Sequence, residues 1–347
     1  MWDFDLLREH FKELIEIDFD VELSGFSTGE IDLVLDGKPA PEATDPADDL
    51  MGLGDGPAVS QPGDVWELGR HRLICGDALL DTSYQALLHS DLAQTVVTDP
   101  PYNVSIQGHA VGRGKIRHRE FAMAAGEMSE EAYTTFLGSF IRNAIAFSAN
   151  GSIHYPFIDW RHLPELLAAA RPLYAEWKNL LVWNKSNAGQ GSFYRSKHEL
   201  VGVFKNGAAP HINNFGLGAN GRHRSNVLDC PGVNCLHPAR RGELDLHPTV
   251  KPVALIADLI RDCSRRNGII LDSFGGSGTT LLAAERTGRI ARVIELDQLY
   301  VDIAVRRWEK TTGVAARHSE LGLTFTEIAA DRVKTASASS EPRCPGV

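Results

Sequence analysis

Apolar and polar positions alternate in a regular rhythm through the body of the chain and lose it at both ends. Residues 94–98 (QTVVT) form a short β-branched run stopped by Pro100 and Pro101, which no regular element accommodates, so they read as a strand with a fixed end. Residues 129–149 carry apolar side chains at helical spacing, with Ser129 placed as an N-cap. Strand-like and helical stretches then follow in turn: SIHYPF, a helix over 160–170, LLVWNK and ELVGVF. Residues 205–246, rich in Gly, Asn, His and Arg, break the rhythm, and an irregular stretch this long is more often functional than idle. The rhythm returns with a helix over 252–265, a strand IILDSF, a Gly-rich turn, a helix from 278, a strand ARVIEL and a helix over 298–310. Nearer the start, VWELGRHRLICGDAL has a Gly between two short apolar runs and predicts a hairpin. Strands alternating with helices predict an α/β fold, a mostly parallel sheet with helices on both faces.

The ends read differently. Residues 1–36 begin helix-like and continue as FSTGEIDLVLDG, which reads as a connector; residues 37–63 are Pro, Gly, Asp and Ala-rich and read as a linker. The body is expected over 64–333, with the irregular stretch 205–246 inside it, and 334–347 as a disordered tail. Net charge is −10, which disfavours a nucleic-acid partner until its distribution is considered. Residues 1–60 hold sixteen acidic and three basic side chains, a net of −13, leaving the rest at +3. As a mere connector the acidic stretch should be dispensable, and its removal should leave the body folded and its attraction for any polyanionic partner intact or tighter. No apolar run is long enough to span a bilayer, and the charged N-terminus is not a secretory signal, so a soluble cytoplasmic protein is expected. The five cysteines, Cys75, Cys230, Cys235, Cys263 and Cys344, form no C-x-x-C pair, so neither a disulfide framework nor a metal site is expected.

Three motifs carry candidate chemistry. Asp99-Pro100-Pro101-Tyr102 follows the QTVVT strand, at the sheet edge where open α/β folds bind ligands. An exocyclic amino group is a poor nucleophile because its lone pair is delocalised into the base. A carboxylate at Asp99 and a carbonyl at Pro100 can each accept one of its hydrogens and aim the lone pair outward. The rigid prolines hold that geometry, and Tyr102 offers a face for a base taken out of the duplex. A plain proline turn would explain the same four residues without chemistry. The second motif, Asp272-Ser273-Phe274-Gly275-Gly276-Ser277-Gly278-Thr279-Thr280, joins a strand to a helix whose N-terminus suits an anion. It lacks the Lys of a nucleotide phosphate loop and the G-x-G-x-x-G of a dinucleotide site. Glu295, ending the next strand, is a candidate for ribose hydroxyls. The third, His247-Pro248-Thr249-Val250-Lys251-Pro252, precedes a helix; Thr249 and Lys251 could hold an anionic group there.

Together, DPPY, HPTVKP, DSFGGSGTT and VIELD resemble the amino-methyltransferases that modify DNA, over roughly residues 62–330, in the order of their beta group, which implies a target-recognition region between the catalytic and cofactor motifs, at about 205–246. WNKSNAGQGSFYRSKHELVGVFKNG is similar to the segment lining their base pocket, with His198, Glu199 and Phe204 at matching places. FSTGEIDLVL and the acidic linker resemble the segment joining a ParB-like domain to such a methyltransferase, so this chain resembles a shortened fusion. The resemblance implies a methyltransferase-type Rossmann-like sheet with circularly reordered motifs, S-adenosylmethionine as cofactor and double-stranded DNA as partner. It implies that Asp99, Pro100, Pro101 and Tyr102 form the catalytic site. Asp272, Phe274, Gly276, Gly278 and Thr279 would wrap the methionine end of the cofactor, Glu295 its ribose and Asp77 its adenine, with Thr249 and Lys251 closing the pocket. Gly275 stands where Ala is more usual, which should loosen the turn. No metal is implied; a homodimer and a ParB-like domain on a longer form are compatible with it.

Arg113, Lys115, Arg117 and Arg119 follow DPPY closely, and Arg222 and Arg224 lie in the irregular region. All six are candidates for phosphate contacts. The expected activity is adenine-N6 methylation of DNA in a site-specific, restriction-modification setting. N4-cytosine methylation is the nearest alternative, but the family's cytosine enzymes more often carry Ser where this chain has Asp99. Protein-glutamine methylation would place the cofactor loop before the N-P-P-Y-type motif, a non-catalytic DNA-binding module would not need both motifs intact, and a dehydrogenase would need the dinucleotide fingerprint.

Overall fold

A computed structural model describes residues 3–37, 45–49, 57–104, 126–186, 188, 193–218, 223–232 and 250–339. The predicted hairpin is β1 (Val65–Leu68) and β2 (His71–Cys75), paired with Leu68 opposite His71 across a turn where Gly69 has φ of 59°. Helix α3 (Asp81–Leu88) leads to β3 (Ala93–Thr98), the QTVVT strand. Then come α4 (Glu130–Ala146), capped by Ser129 as expected, β4 (Ser148–Ile158), α5 (Leu163–Ala170), β5 (Glu176–Asn184), β6 (His198–Lys205) and β7 (Val227–Asp229). The second half adds α6 (Val253–Cys263), β8 (Ile269–Asp272), α7 (Thr279–Thr287), β9 (Ile290–Glu295), α8 (Gln298–Thr312), β10 (Arg317–His318) and α9 (Phe325–Ser339). Helix α9 runs beyond residue 334, where the sequence suggested irregular chain.

The strands form one sheet in the order β10-β1-β2-β9-β8-β3-β4-β6-β5-β7. Its centre, β2 through β4, is parallel, as expected; β6 is antiparallel to both β4 and β5. Successive residues of a strand point to opposite faces, and here both faces are covered. Val97 and Ile270 join the cluster built with α6, α7 and α8, whereas Val96 and Leu271 join the cluster built with α3, α4 and α5. From β3 the chain moves through α4 to β4 on one side, and from β8 through α7 to β9 on the other. Between the carboxyl ends of β3 and β8 lies the switch point, where such sheets open a crevice. No helix among the described residues is long and apolar enough to cross a membrane.

The N-terminal stretch is not a free connector. Helices α1 (Phe4–Glu16) and α2 (Thr28–Asp36) enclose a small core of Phe11, Val21, Ile31 and Val34. Helix α2 is closed by a capping box between Ser27 and Glu30. It docks on the body through Asp32, whose two carboxylate oxygens accept from Arg289 at 2.8 and 2.7 Å, and through Asp36, which pairs with Arg261 at 2.5 Å. The acidic linker is used as well. Asp48 accepts from the Val253 amide at 2.8 Å, satisfying a first-turn N–H of α6 that Pro252 cannot cap. Asp302 in turn accepts from the amides of Val59 and Ser60 at 2.7 and 2.9 Å. Asp32, Asp36, Asp45 and Asp48 are thus spent on cations and a helix N–H of the body, which argues against the expectation that residues 1–60 are dispensable.

Candidate active site

Two motifs 175 residues apart meet at the switch point. The Ser273 amide donates to Thr98 Oγ1 at 3.2 Å, fastening the turn after β8 beside the first residue of DPPY. Asp99 leaves the end of β3 with its carboxylate in a cluster of side chains from four segments. Tyr102 Oη lies 2.5 Å from Asp99 Oδ1 and 3.0 Å from Glu199 Oε2, donating to one or the other. Lys251 Nζ donates to Asp99 Oδ2 and lies 3.1 Å from Glu199 Oε2; Lys185 Nζ donates to Glu199 Oε1. The Lys251 ammonium also sits over the rings of Tyr102 and Phe157, at 5.4 and 5.2 Å.

Two carboxylates and two ammonium groups cancel in charge, but not evenly. Burial raises the Asp99 carboxyl above the usual range, more than Lys251 lowers it. Glu199, which burial alone would also raise, is held down at about 2 by Lys251 and Lys185 together. Burial and the two carboxylates keep the Tyr102 hydroxyl protonated, so it acts as a donor. Lys251 is retained as a cation by Asp99 and Glu199 despite burial. Asp99 is thus the carboxyl of the pair that exchanges a proton more readily.

Loop geometry at the motif is set by Asn103, in a left-handed conformation with φ of 52°. Its side chain donates to the Met128 carbonyl at 2.8 Å and accepts from the Gly126 and Met128 amides at 3.1 Å. Both ends of the segment carrying Arg113, Lys115, Arg117 and Arg119 are thereby tied beside DPPY. Those four residues, with Arg222 and Thr249, lie outside the described residues. Arg224 is described and is turned inward: its guanidinium bonds Asp262 and Asp258 of α6, each at 3.0 Å. It anchors the irregular region to α6 instead of presenting itself to phosphate.

The Gly-rich turn is built from below and open above. Asp272 accepts from the Phe274 amide at 3.0 Å and from Thr280 Oγ1 at 2.6 Å, and burial raises its carboxyl to about 6. Arg307 of α8 supports the turn by donating to the carbonyl and hydroxyl of Ser277 at 2.7 and 2.8 Å. A side chain at Gly278 would put its Cβ 2.7 Å from Ala304 Cβ, so this glycine makes room for α8, whereas one at Gly276 would meet nothing within 4 Å. Gly275 is no loose departure: a Cβ there would fall 2.2 Å from Val293 Cγ1, so Gly275 accommodates Val293. The Phe274 ring is directed into α4, edge-on to Phe140 with centroids 5.1 Å apart. Glu295 accepts from the amides of Gly276 and Asp297, each at 2.7 Å, and burial pushes its carboxyl up to about 7. Because Cys75 pairs with Glu295 across β2 and β9, Asp77 emerges at the neighbouring strand end, its carboxylate folded onto the Leu79 amide at 2.8 Å.

The structure therefore gathers Asp99, Tyr102 and Lys251 at one end of the crevice, and Asp77, Asp272, Gly276, Thr279 and Glu295 around the other. Lys251, expected to help close the cofactor pocket, lies against Asp99 and Glu199 of the catalytic cluster. Glu199 was legible only through the resemblance. Lys185 was not singled out as a site residue; its only signal is a lysine directly after the apolar run LLVW and Asn184 at the end of β5.

Comparison with known proteins bears on this arrangement. Over 89 residues the chain is 40% identical to the type II methyltransferase M.ScaI of Streptomyces caespitosus, covering 26% of this chain and 29% of that one. Over 143 residues it is 27% identical to the type II methyltransferase M2.MboI of Moraxella bovis, covering 39% and 51%. The matched regions are thus at most about half of these relatives. Among solved structures, the PvuII DNA methyltransferase (cytosine-N4-specific) shares the fold with a TM-score of 0.51 at 17% identity, over 77% of this chain and 93% of that one. Residues 5–62 match a model described as the ParB-methyltransferase HTH domain, which covers the helices read from sequence as a connector. Residues 93–306, from the first residue of β3 into α8, match the N6/N4 model described as DNA methylase, and the chain belongs to that DNA methylase family.

Proposed function

We propose that the chain methylates double-stranded DNA at N6 of an adenine swung out of the helix, with S-adenosylmethionine as methyl donor. The observation that carries this reading is the approach of DPPY and the Gly-rich turn across the ends of β3 and β8, fastened by the Ser273–Thr98 hydrogen bond. The donor, when bound, supplies an electrophilic methyl on a sulfonium. The crevice suits it on three counts. Gly276 leaves open space where a side chain would stand. Helix α7 begins without a side-chain cap, so its N–H groups suit the donor's carboxylate. Glu295 and Asp77 offer acceptors at adjacent strand ends for ribose hydroxyls and an adenine amino group.

The chain's own residues do the rest. The Asp99 carboxylate and the Pro100 carbonyl accept the two amino hydrogens and aim the nitrogen lone pair into the crevice. Lys251 occupies the Asp99 oxygen that the amino group would use; as the base arrives Lys251 withdraws towards Glu199, whose charge retains it. Tyr102 stacks on the base. The proton released from nitrogen is held at Asp99, whose carboxyl burial has already made the more basic of the pair. Arg113, Lys115, Arg117 and Arg119 belong to the segment between Asn103 and Gly126, whose two ends meet beside DPPY, and are assigned to phosphate contacts. Asp at position 99 favours adenine over cytosine, and the fold shared with a cytosine-N4-specific enzyme does not discriminate.

Expression in a bacterium lacking DNA methylation, followed by single-molecule sequencing, tests the reading. N6-methyladenine at one sequence context is expected, and N4-methylcytosine would reassign the base. Calorimetric titration tests the donor: S-adenosylhomocysteine binds while ATP and NAD do not, and tight NAD binding with no response to S-adenosylhomocysteine overturns the reading.

A further inference from the structure

Two large rings stand outside each hydrophobic cluster formed by the described residues. Phe193 and Tyr194 are 85% and 88% exposed, and their main aromatic contact is with each other, centroids 4.4 Å apart and planes inclined at 56°. Isolated exposed hydrophobics are ordinary, but a paired exposure on one loop calls for an occupant. Topology locates that loop. Strand β6 is antiparallel to β4 and to β5, so β5 ends on the edge where β3 and β8 end. The pairing closes at Asn184 with His198 and at the Lys185 amide with the Lys197 carbonyl, 2.8 Å, so Phe193 and Tyr194 lie just ahead of β6 at that edge. Tyr194 is five residues from Glu199, within about 17 Å of the carboxylate cluster by chain reach alone.

The chemistry of the loop names the occupant. Arg195 and Lys197, both exposed, follow the rings within three residues along the chain, and Arg195 also donates to the Ala188 carbonyl at 3.2 Å. Aromatic faces interleaved with cations fit stacked bases between phosphates. They do not fit a second acidic protein surface so well, because flat rings gain most from flat partners.

We propose that the Phe193–Tyr194 pair inserts into the DNA base stack at the position the target base vacates, holding the duplex open while the base is in the crevice. The proposal rests on the DNA-methylation reading above. Flipping a base leaves its partner unpaired and its neighbours unstacked, and a ring in the gap offsets part of that loss. These are positioning residues; neither touches the reacting atoms.

The test uses the full chain with Phe193→Ala and Tyr194→Ala combined, on a duplex containing the sequence that the wild-type chain modifies. Single-turnover methyl transfer on the paired duplex is expected to fall on the order of 10- to 100-fold, the range one stacked base contributes. On the same duplex with the target base mispaired, where opening is already cheap, transfer by the variant is expected within about threefold of wild type. The conservative Phe193→Tyr retains activity on both. Thermal unfolding and binding of S-adenosylhomocysteine stay unchanged, since neither ring belongs to a core or to the crevice. Equal loss on paired and mispaired duplexes, or no loss on either, overturns the proposal. Failure of the underlying reading is distinct: the wild-type chain would then transfer methyl to no duplex at all.

Discussion

Replacing Asp32 by Ala tests whether the N-terminal helices belong to the folded body. In the intact chain the Arg289 side chain is fully buried, and each of its five N–H donors has an acceptor. Nε donates to Ser264 Oγ at 3.2 Å, Nη1 to Asp32 Oδ1 at 2.8 Å and the Thr287 carbonyl at 2.6 Å, and Nη2 to Asp32 Oδ2 at 2.7 Å and the Ser264 carbonyl at 2.9 Å. Asp32→Ala removes the counter-ion and two acceptors at once, and weakens the hold on Arg266, 3.5 Å from the same carboxylate. Breaking a buried ion pair from one side costs about 3–5 kcal/mol, because the remaining charge stays desolvated without compensation. With the usual unfolding entropy per residue, a chain this long then melts about 4–7 °C lower. Asp32→Asn keeps one acceptor and falls between. Asp32→Leu combined with Arg289→Met removes both charges and regains most of the loss, since an apolar pair of similar volume needs no counter-ion. Urea denaturation followed by tryptophan fluorescence reads all of these. An unchanged midpoint in Asp32→Ala refutes the docking, and residues 1–36 would then be the connector their composition suggests.

Asp99→Ala should leave folding and cofactor affinity intact and slow single-turnover transfer on the order of 10²–10³, the usual loss for one preorganised partner, with Asp99→Asn above Ala because it keeps a carbonyl acceptor. Cofactor affinity should rise with pH through about 7 and level above it, since ribose hydroxyls bond the charged form of Glu295, whose carboxyl burial has raised to that value; titration calorimetry from pH 6 to 8 follows it, and Glu295→Gln flattens the curve. The same shift has a stability side: a raised carboxyl contributes stability below its unfolded pKa and loses it as pH rises through about 7, so the free protein gains least from this group in the alkaline range where the cofactor binds best. Gly275→Ala should destabilise by about 1–3 kcal/mol through overpacking against Val293, and adding Val293→Ala should restore much of it; a neutral single variant would show that the turn yields freely.

Where the motifs sit on the strands and turns was legible along the chain because that placement is local. A β-branched run ended by two prolines can only be a strand end, and glycines between a strand and a helix can only be a tight turn. Asp99, Tyr102, Asp272, Gly276 and Glu295 were therefore found at the right strand ends before any contact was known. What local pattern cannot carry is which strand end lies beside which, and whom a charge faces. Lys251 follows a proline-rich stretch that suggests a helix start near a ligand, yet its ammonium lies on Asp99 and Glu199, which reach it from two other strands. Arg224 looks like a phosphate contact in a basic stretch, and only the packing against α6 turns it towards Asp258 and Asp262. Asp32 and Asp48 look like solvated charge in an acidic stretch, and become a buried counter-ion and a helix cap because Arg289 and Val253, more than 200 residues away, are folded against them. Composition fixes how many charges a chain has; the energy of each depends on the few ångströms around it, and those are set only when distant segments close into one core.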